Sequence, residues 1–328
     1  MNNPSEGKSW LAMGVTGLLM CCMSAAMAQS WPTRQVTLVY SLTPGSAADV
    51  EVRRYTKVLQ DNLGQSFIVD FRPGASGIIA TSYVVKAKPD GYTYLLSPST
   101  LAMLAAANKP LPYDTLKDLA PVSLLTKRGM LLVASPKFGP GSFNDYVAFA
   151  RANPGKVNWA TAAQGGATHL SGAWLHNATR TEATFVHYKG AAAYTSELMA
   201  GRVDVGLLGL SSARRLIETG KLKLVVIATG QRLKAFPSIP TVAESGIPGF
   251  EYPSWLGVLA PAGTPPAILN RFSAEAKRAV HASENAEALE ADAITPIGST
   301  PDEFARVIVE DIARTRKIAS DNNISLSE

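Results

Sequence analysis

Cysteine is nearly absent from this chain of 328 residues: the only two, Cys21 and Cys22, lie side by side near the N-terminus. Their surroundings read as an export signal. Lys8 precedes a largely apolar run from Trp10 to Met27, which ends in Ala26-Met27-Ala28, a small-x-small sequence of the kind signal peptidase cuts. Cleavage is expected after Ala28, giving a signal peptide of 1–28 and a mature start at Gln29. The run is short for a membrane span and is diluted from Ser24 to Ala28. Leu18-Leu19-Met20 lacks the small residue that lipid attachment wants before a cysteine. The mature chain then has no disulfide, no thiol nucleophile and no cysteine metal site.

Charge is also sparse. Charged residues make up 17% of the chain, below the roughly 25% of an ordinary soluble protein. The net charge is +5, yet no block of five or more consecutive basic residues marks a nucleic-acid arm. Arg53-Arg54, Lys127-Arg128 and Arg214-Arg215 read as solvated faces, so no nucleic-acid partner is expected. A weak overall pull on anions remains.

Catalytic signatures are missing as well. Gly74-Ala75-Ser76-Gly77-Ile78 lacks the last glycine of a nucleophile elbow. Gly220-Lys221 lacks both the upstream glycine, at Arg215, and the following Ser or Thr of a phosphate loop. The four histidines, His169, His176, His187 and His281, have no metal-ligand spacing. No metal and no cofactor are implied. His176 and His281 read as exposed helix residues, whereas His187, at a strand end, and His169, in a glycine-rich loop, are candidates to face a ligand.

What the chain does have is a repeated unit of strand, small-residue turn and helix. Thr37 to Tyr40 is strand-like, Thr43-Pro44-Gly45-Ser46-Ala47-Ala48-Asp49 is a loop, and Ala48, Val52, Tyr55, Leu59 and Leu63 then follow at helical spacing before Gly64. Such a loop, with a helix behind it, points backbone N–H donors and a partial positive charge into one space. The plain alternative is an ordinary α/β turn. The unit recurs at Ser66–Phe71 with Gly74-Ala75-Ser76-Gly77, at Tyr92–Leu96 with Ser97 to Thr100, and at Val157–Thr161 with Ala162 to His169, where Thr168 is the expected N-cap. It returns at Thr184–Tyr188 with Lys189-Gly190, and at Val203–Leu210 with Ser211-Ser212 as expected caps.

Leu111 to Val122 reads as an irregular connection before a strand from Gly129 to Ala134. Thr264-Pro265-Pro266 predicts a helix with Thr264 as N-cap, and Thr300 to Glu303 has the spacing of a capping box. The length suits two α/β domains, and the repeated unit argues for a mainly parallel sheet in each. Crossovers near Pro136 to Gly141 and Pro237 to Pro253 divide the chain into 29–132 with 253–328, and 133–252. Polar loops at strand ends, without a catalytic group, suit ligand binding. Micromolar affinity needs about 8 kcal/mol, and hydrogen bonds to a charged group give roughly 1.5–3 kcal/mol each, so four to six donors cover that before ordering costs.

Read with their flanks, these loops resemble the Bug or TctC-like substrate-binding proteins of tripartite tricarboxylate transporters. The resemblance is carried by Val39 to Asp49, Arg72-Pro73-Gly74-Ala75-Ser76-Gly77, Lys88-Pro89-Asp90-Gly91-Tyr92-Thr93, Leu111-Pro112-Tyr113-Asp114, Thr168-His169-Leu170, Tyr188-Lys189-Gly190, Gly201-Arg202-Val203-Asp204, Phe236 to Gly246 and Ala260 to Pro265. It implies a two-lobed periplasmic-binding-protein fold, an interlobe cleft for a small organic carboxylate, and delivery to a membrane permease by a monomeric periplasmic receptor. The implied binding residues are Leu42, Gly45, Ser46, Ala47, Asp49 and Ser99 on one lobe, and Gly166, Ala167, Thr168, His169, His187, Gly209 and Ser211 on the other. The chain departs from the family where the first loop usually reads P-G-G-x-x-D, because Ser46 and Ala47 follow Gly45. His187 stands where Pro is frequent, and Leu208, Gly209 and Ser211 occupy a strand end that often carries Asp or Asn, then Pro. A ligand less polar than citrate, such as an aromatic carboxylate, is expected. The alternatives are an exported enzyme built on His169 with Ser171 or Ser46, and a receptor that signals to a membrane sensor.

Overall fold

The computed structural model describes residues 31–42, 44, 47–107, 109–252 and 254–326, with backbone alone at Ala47 and Ala48. The expected signal segment, the start at Gln29, and Gly45 and Ser46 of the first loop lie outside the described residues. No helix among the described residues is long and apolar enough to cross a membrane.

Two sheets, each covered by helices on both faces, form two lobes. The first sheet has the order β11-β4-β10-β3-β1-β2, from β1 (Val36–Tyr40), β2 (Phe67–Phe71), β3 (Thr93–Pro98), β4 (Leu119–Arg128), β10 (Trp255–Pro261) and β11 (Ile294–Pro296). The second has the order β7-β6-β8-β5-β9, from β5 (Met130–Ala134), β6 (Val157–Thr161), β7 (Ala183–His187), β8 (Val205–Gly209) and β9 (Lys223–Ile227). β2, β1 and β3 pair in parallel, as do β7, β6 and β8. The sheets are mixed because each takes in a reversed strand that arrives from the other lobe: β10 lies antiparallel to β3 and β4, and β5 antiparallel to β8 and β9.

Alternation along the strands sets the layers. On β1, Val36, Leu38 and Tyr40 face α1 (Ala47–Leu63) and α8 (Pro266–Val280) through Val52, Tyr55, Leu59, Phe272 and Ala276. Val39 and Leu95 face the opposite layer, α2 (Ile78–Val85), α3 (Thr100–Ala106) and α10 (Pro301–Asp321), through Val84, Leu101, Phe304 and Ile308. In the second lobe, Trp159 and Leu132 meet α4 (Phe143–Ala152) and α5 (Ala167–Thr179), while Ala160 and Leu131 meet α6 (Ala191–Ala200) and α7 (Leu210–Glu218). α5 lies close to its sheet because Gly172 has no side chain; a Cβ there would stand 2.7 Å from Phe185 and 2.8 Å from Trp159. The short α9 (Ala286–Ala291) precedes β11.

The chain crosses between sheets at Gly129, ahead of the boundary expected after residue 132, because Met130 already pairs with Gly209 of β8. Gly129 N–H donates to Ala293 O at 2.8 Å and Arg128 N–H to Ser254 O at 2.9 Å, which binds the outgoing and returning segments together. Sequence reasoning missed β4. Its Pro121 contradicts a central strand, but Pro121 sits opposite Leu259 beside a register shift, where a missing N–H breaks no ladder bond. Three expected caps also move. α7 begins at Leu210 with Gly209 as N-cap, so Ser211 and Ser212 lie in its first turn. α8 is capped by Pro265, and the Thr264 hydroxyl donates to Pro261 O instead. α5 is capped by extended Gly166, which leaves Thr168 inside the helix. The Thr300–Glu303 capping box is present in both directions.

Candidate functional site

Because β1, β2 and β3 are parallel, their C-terminal ends share one edge, and β6, β7 and β8 give the second lobe the same arrangement. In the first lobe, β1 runs into buried Ser41 and half-buried Leu42, which packs on the core, and α1 begins at Ala47. β2 runs into a turn at Ala75–Gly77 whose Ala75 and Ser76 have φ of 45° and 52°, left-handed backbone that residues with a Cβ rarely adopt. Gly77, at φ 100°, lets that turn close on Ser41, since a Cβ there would lie 3.3 Å from the Ser41 Cβ. Ser99 follows β3, is buried, and donates its N–H to Trp255 O at 3.1 Å.

In the second lobe, side chains brace the loop that leads into α5. The Thr168 hydroxyl oxygen accepts from Ala162 N–H at 3.0 Å, and His169 Nδ1 accepts from Gly165 N–H at 3.0 Å. His169 is therefore the Nε2–H tautomer, as assigned from this hydrogen bond. The N–H groups of Ala167 and Thr168, in the first turn, have no intrahelical acceptor and carry the positive end of a helix of 13 residues. The His169 ring lies 4.6 Å from Phe185 and 4.7 Å from His187, centroid to centroid. Burial, and then the neighbouring His187, push its pKa down to about 4. His187 ends β7, is exposed, and places Nδ1 2.7 Å from the Thr161 hydroxyl; burial lowers its pKa below the usual value. Near neutral pH the His169 ring is uncharged, and the first-turn N–H groups of α5 supply positive character from backbone.

His176, expected on an exposed face, is only 4% exposed. It lies on the sheet side of α5 between the Tyr146 hydroxyl, 2.9 Å from Nε2, and the Thr181 hydroxyl, 2.7 Å from Nδ1. Burial lowers its pKa to about 4. Asp49, in the first turn of α1, is buried and pairs with Arg53 at 2.7 Å. Gly209 is half-buried, Ser211 exposed and Leu208 buried in the core, so this strand end offers the site no carboxylate or amide side chain.

Two small cavities lie where the lobes meet. Ser76 and Thr100 of the first lobe and Gly165 of the second line one of about 40 Å³. Ser99 and Ala167 line its neighbour of about 20 Å³, and Met103 lines both. The structure thus brings Ser99 to Ala167 across the lobes, and His169 to His187 within the second. Leu42, Asp49, Gly166, Thr168, His169, His187, Gly209 and Ser211 line neither cavity. His169 and Ser171 do not pair: His169 braces the loop while Ser171 faces α10. Sequence reasoning missed the part of Ser76 and Thr100, although both lie in the turns it singled out. It also missed Glu51, which accepts from Thr126 at 2.8 Å, Tyr55 at 3.1 Å and Arg128 at 2.7 Å, tying α1 to the crossover. A glutamate on the apolar stripe of α1 was the available signal.

A family model described as "Tripartite tricarboxylate transporter family receptor" (TctC) matches residues 52–324. Protein BugT of Bordetella pertussis is 32% identical over 301 residues, which cover 91% of this chain and 92% of BugT. Among solved structures, the R. palustris protein Rpa4515 with adipate is 32% identical, with a TM-score of 0.73 over 90% of this chain and 99% of its own. MatC (Rpa3494) from Rhodopseudomonas palustris, with bound malate, is 29% identical, with a TM-score of 0.67 over 88% of this chain and 99% of its own. Matched from α1 almost to its end, and with the two-lobed fold in common, the chain belongs to the TctC family of tripartite tricarboxylate transporter receptors.

Proposed function

We propose that this protein is a periplasmic receptor that captures a small organic carboxylate between its lobes and delivers it to the membrane permease of a tripartite transporter. The observation that carries this reading is the first turn of α5. There Ala167 and Thr168 present N–H donors at a helix N-terminus, held in place by the Thr168 and His169 side chains, and Ala167 lines the same cavity as Ser99 of the other lobe. The first-lobe counterpart is taken from the sequence as Leu42, Gly45, Ser46 and Ala47. Relatives solved with adipate and malate support a carboxylate as the bound group. With His187, whose pKa is lowered by burial, and side-chain-free Gly209 at the neighbouring strand ends, the site takes a ligand less polar than citrate, with aromatic mono- or dicarboxylates the first candidates. The mature chain acts as a monomer, with its lobes formed by 29–132 with 253–328 and by 133–252, apart from the early crossing at Gly129.

Isothermal titration against adipate, malate, citrate, glutamate, benzoate and terephthalate tests the proposal. Tight binding of adipate, benzoate or terephthalate with weak citrate is expected. Tight citrate binding without an aromatic response rejects the ligand class, and no response to any carboxylate rejects the receptor reading. Uptake of the bound acid, followed separately from transcription in a deletion strain, separates delivery from signalling.

A further inference from the structure

Beyond Ser99 and Ala167, the smaller of the two interlobe cavities is lined by polar residues that the carboxylate site does not use. It lies between α3 and α10 of the first lobe and α5 of the second. On α5, Ala167, Leu170, Ser171 and Trp174 form one stripe at helical spacing. Ser171 is only 1% exposed, and among the described residues its hydroxyl has no hydrogen-bond partner. An unpaired buried hydroxyl is costly, so native structures almost always supply it with a partner.

The opposite wall belongs to the first lobe and sets Ser99, Thr315, Asp311 and Arg314 among Ala102, Met103 and Ile318. Asp311 accepts from Trp255 Nε1 at 2.6 Å and from Arg314, and the Arg314 guanidinium stands 5.3 Å from the Trp174 ring. This wall offers both signs of charge. A carboxylate there would meet Asp311 and a cation would meet Arg314, so neither ion is favoured. The volume of about 20 Å³ suits one water, which needs roughly 10–15 Å³ and two to four polar partners.

We propose that this cavity is a binding site for one water molecule, which bridges the Ser171 hydroxyl of the second lobe to the Ser99, Thr315 and Asp311–Arg314 wall of the first. A water held from both sides is about as good as a direct hydrogen bond, and it is lost when the walls part. Ser171, one helical turn beyond Ala167, is therefore a positioning residue for the closed arrangement of the lobes. Its effect on affinity rests on the receptor reading; the presence of the water does not.

The test is a crystal structure of the ligand-free mature chain, paired with the variants Ser171→Ala and Thr315→Val. An ordered water about 3 Å from Ser171 Oγ and from at least one first-lobe group is expected. Ser171→Ala should then lower the melting temperature and weaken carboxylate binding roughly 2- to 10-fold, and Thr315→Val should act in the same direction. A dry cavity overturns the proposal. So does a Ser171→Ala variant that melts at the same or a higher temperature, the outcome for a hydroxyl that had no partner to lose. A ligand oxygen in place of the water, in a co-crystal, also overturns it. If no carboxylate binds, the receptor reading fails, while the crystal structure and the melting temperatures still decide whether the water is there.

Discussion

In the proposed receptor His169 braces the carboxylate site without carrying charge to it, and this can be tested by removing it and by titrating it. Its Nδ1 accepts from Gly165 N–H at 3.0 Å, and the ring packs against Phe185 and His187. His169→Ala removes that acceptor while leaving the Ala167 and Thr168 N–H groups in place. One neutral hydrogen bond contributes about 0.5–1.5 kcal/mol, so the carboxylate affinity should fall roughly 2- to 13-fold, with binding retained. His169→Asn, whose side-chain oxygen can accept from a nearby N–H, should recover part of that loss. With a pKa pushed down to about 4 by burial and by His187, the wild-type ring is neutral at pH 7, and its protonation would remove the acceptor for Gly165. Affinity measured by titration calorimetry should therefore be level from pH 8 to 6 and decline only as the pH drops further toward 4. An affinity that rises severalfold as the pH falls from 7.5 to 6 would refute the reasoning, because it would require an imidazolium on the ligand. Complete loss of binding in both variants with an intact fold would refute it too.

Three further outcomes concern stability. His176 is neutral in the fold, with a pKa near 4 against an ordinary 6.5. Between those values the unfolded chain binds the extra proton, so stability should fall with pH by up to about 3 kcal/mol; urea unfolding at pH 7.5, 5.5 and 4.5 should show a shallower decline in His176→Gln than in the wild type. Glu51→Ala strips the shared acceptor from Thr126, Tyr55 and Arg128 and should cost about 3 kcal/mol, read as a lowered urea midpoint. Gly257→Ala would bring a Cβ to 2.1 Å from the Phe304 ring and should cost about 1–3 kcal/mol by overpacking, read as a lowered melting temperature.

Much of the fold was legible because its elements are locally consistent. Strand β6 and the capping box of α10 need only near neighbours, and they appear as expected. Strand β4 was hidden because its proline is tolerated only beside a bulge formed with β10, far away in sequence. His176 looked exposed because local spacing cannot reveal Tyr146, thirty residues upstream, or the sheet beneath it. Thr168 has a capping side chain, but extended Gly166 starts the helix earlier and turns that hydroxyl toward Ala162. For the site, the glycine-rich turns located the edge where the lobes meet. The pairing of Ser99 with Ala167 depends on the return of the chain through β10 and α10, which no local pattern specifies.

The account stands most directly on where a carboxylate binds. A crystal structure of the mature chain with adipate or terephthalate, whichever binds more tightly in solution, should place one carboxylate between the lobes, accepting from the N–H groups of Ala167 and Thr168. A carboxylate bound elsewhere, with those two N–H groups left to solvent, would contradict it.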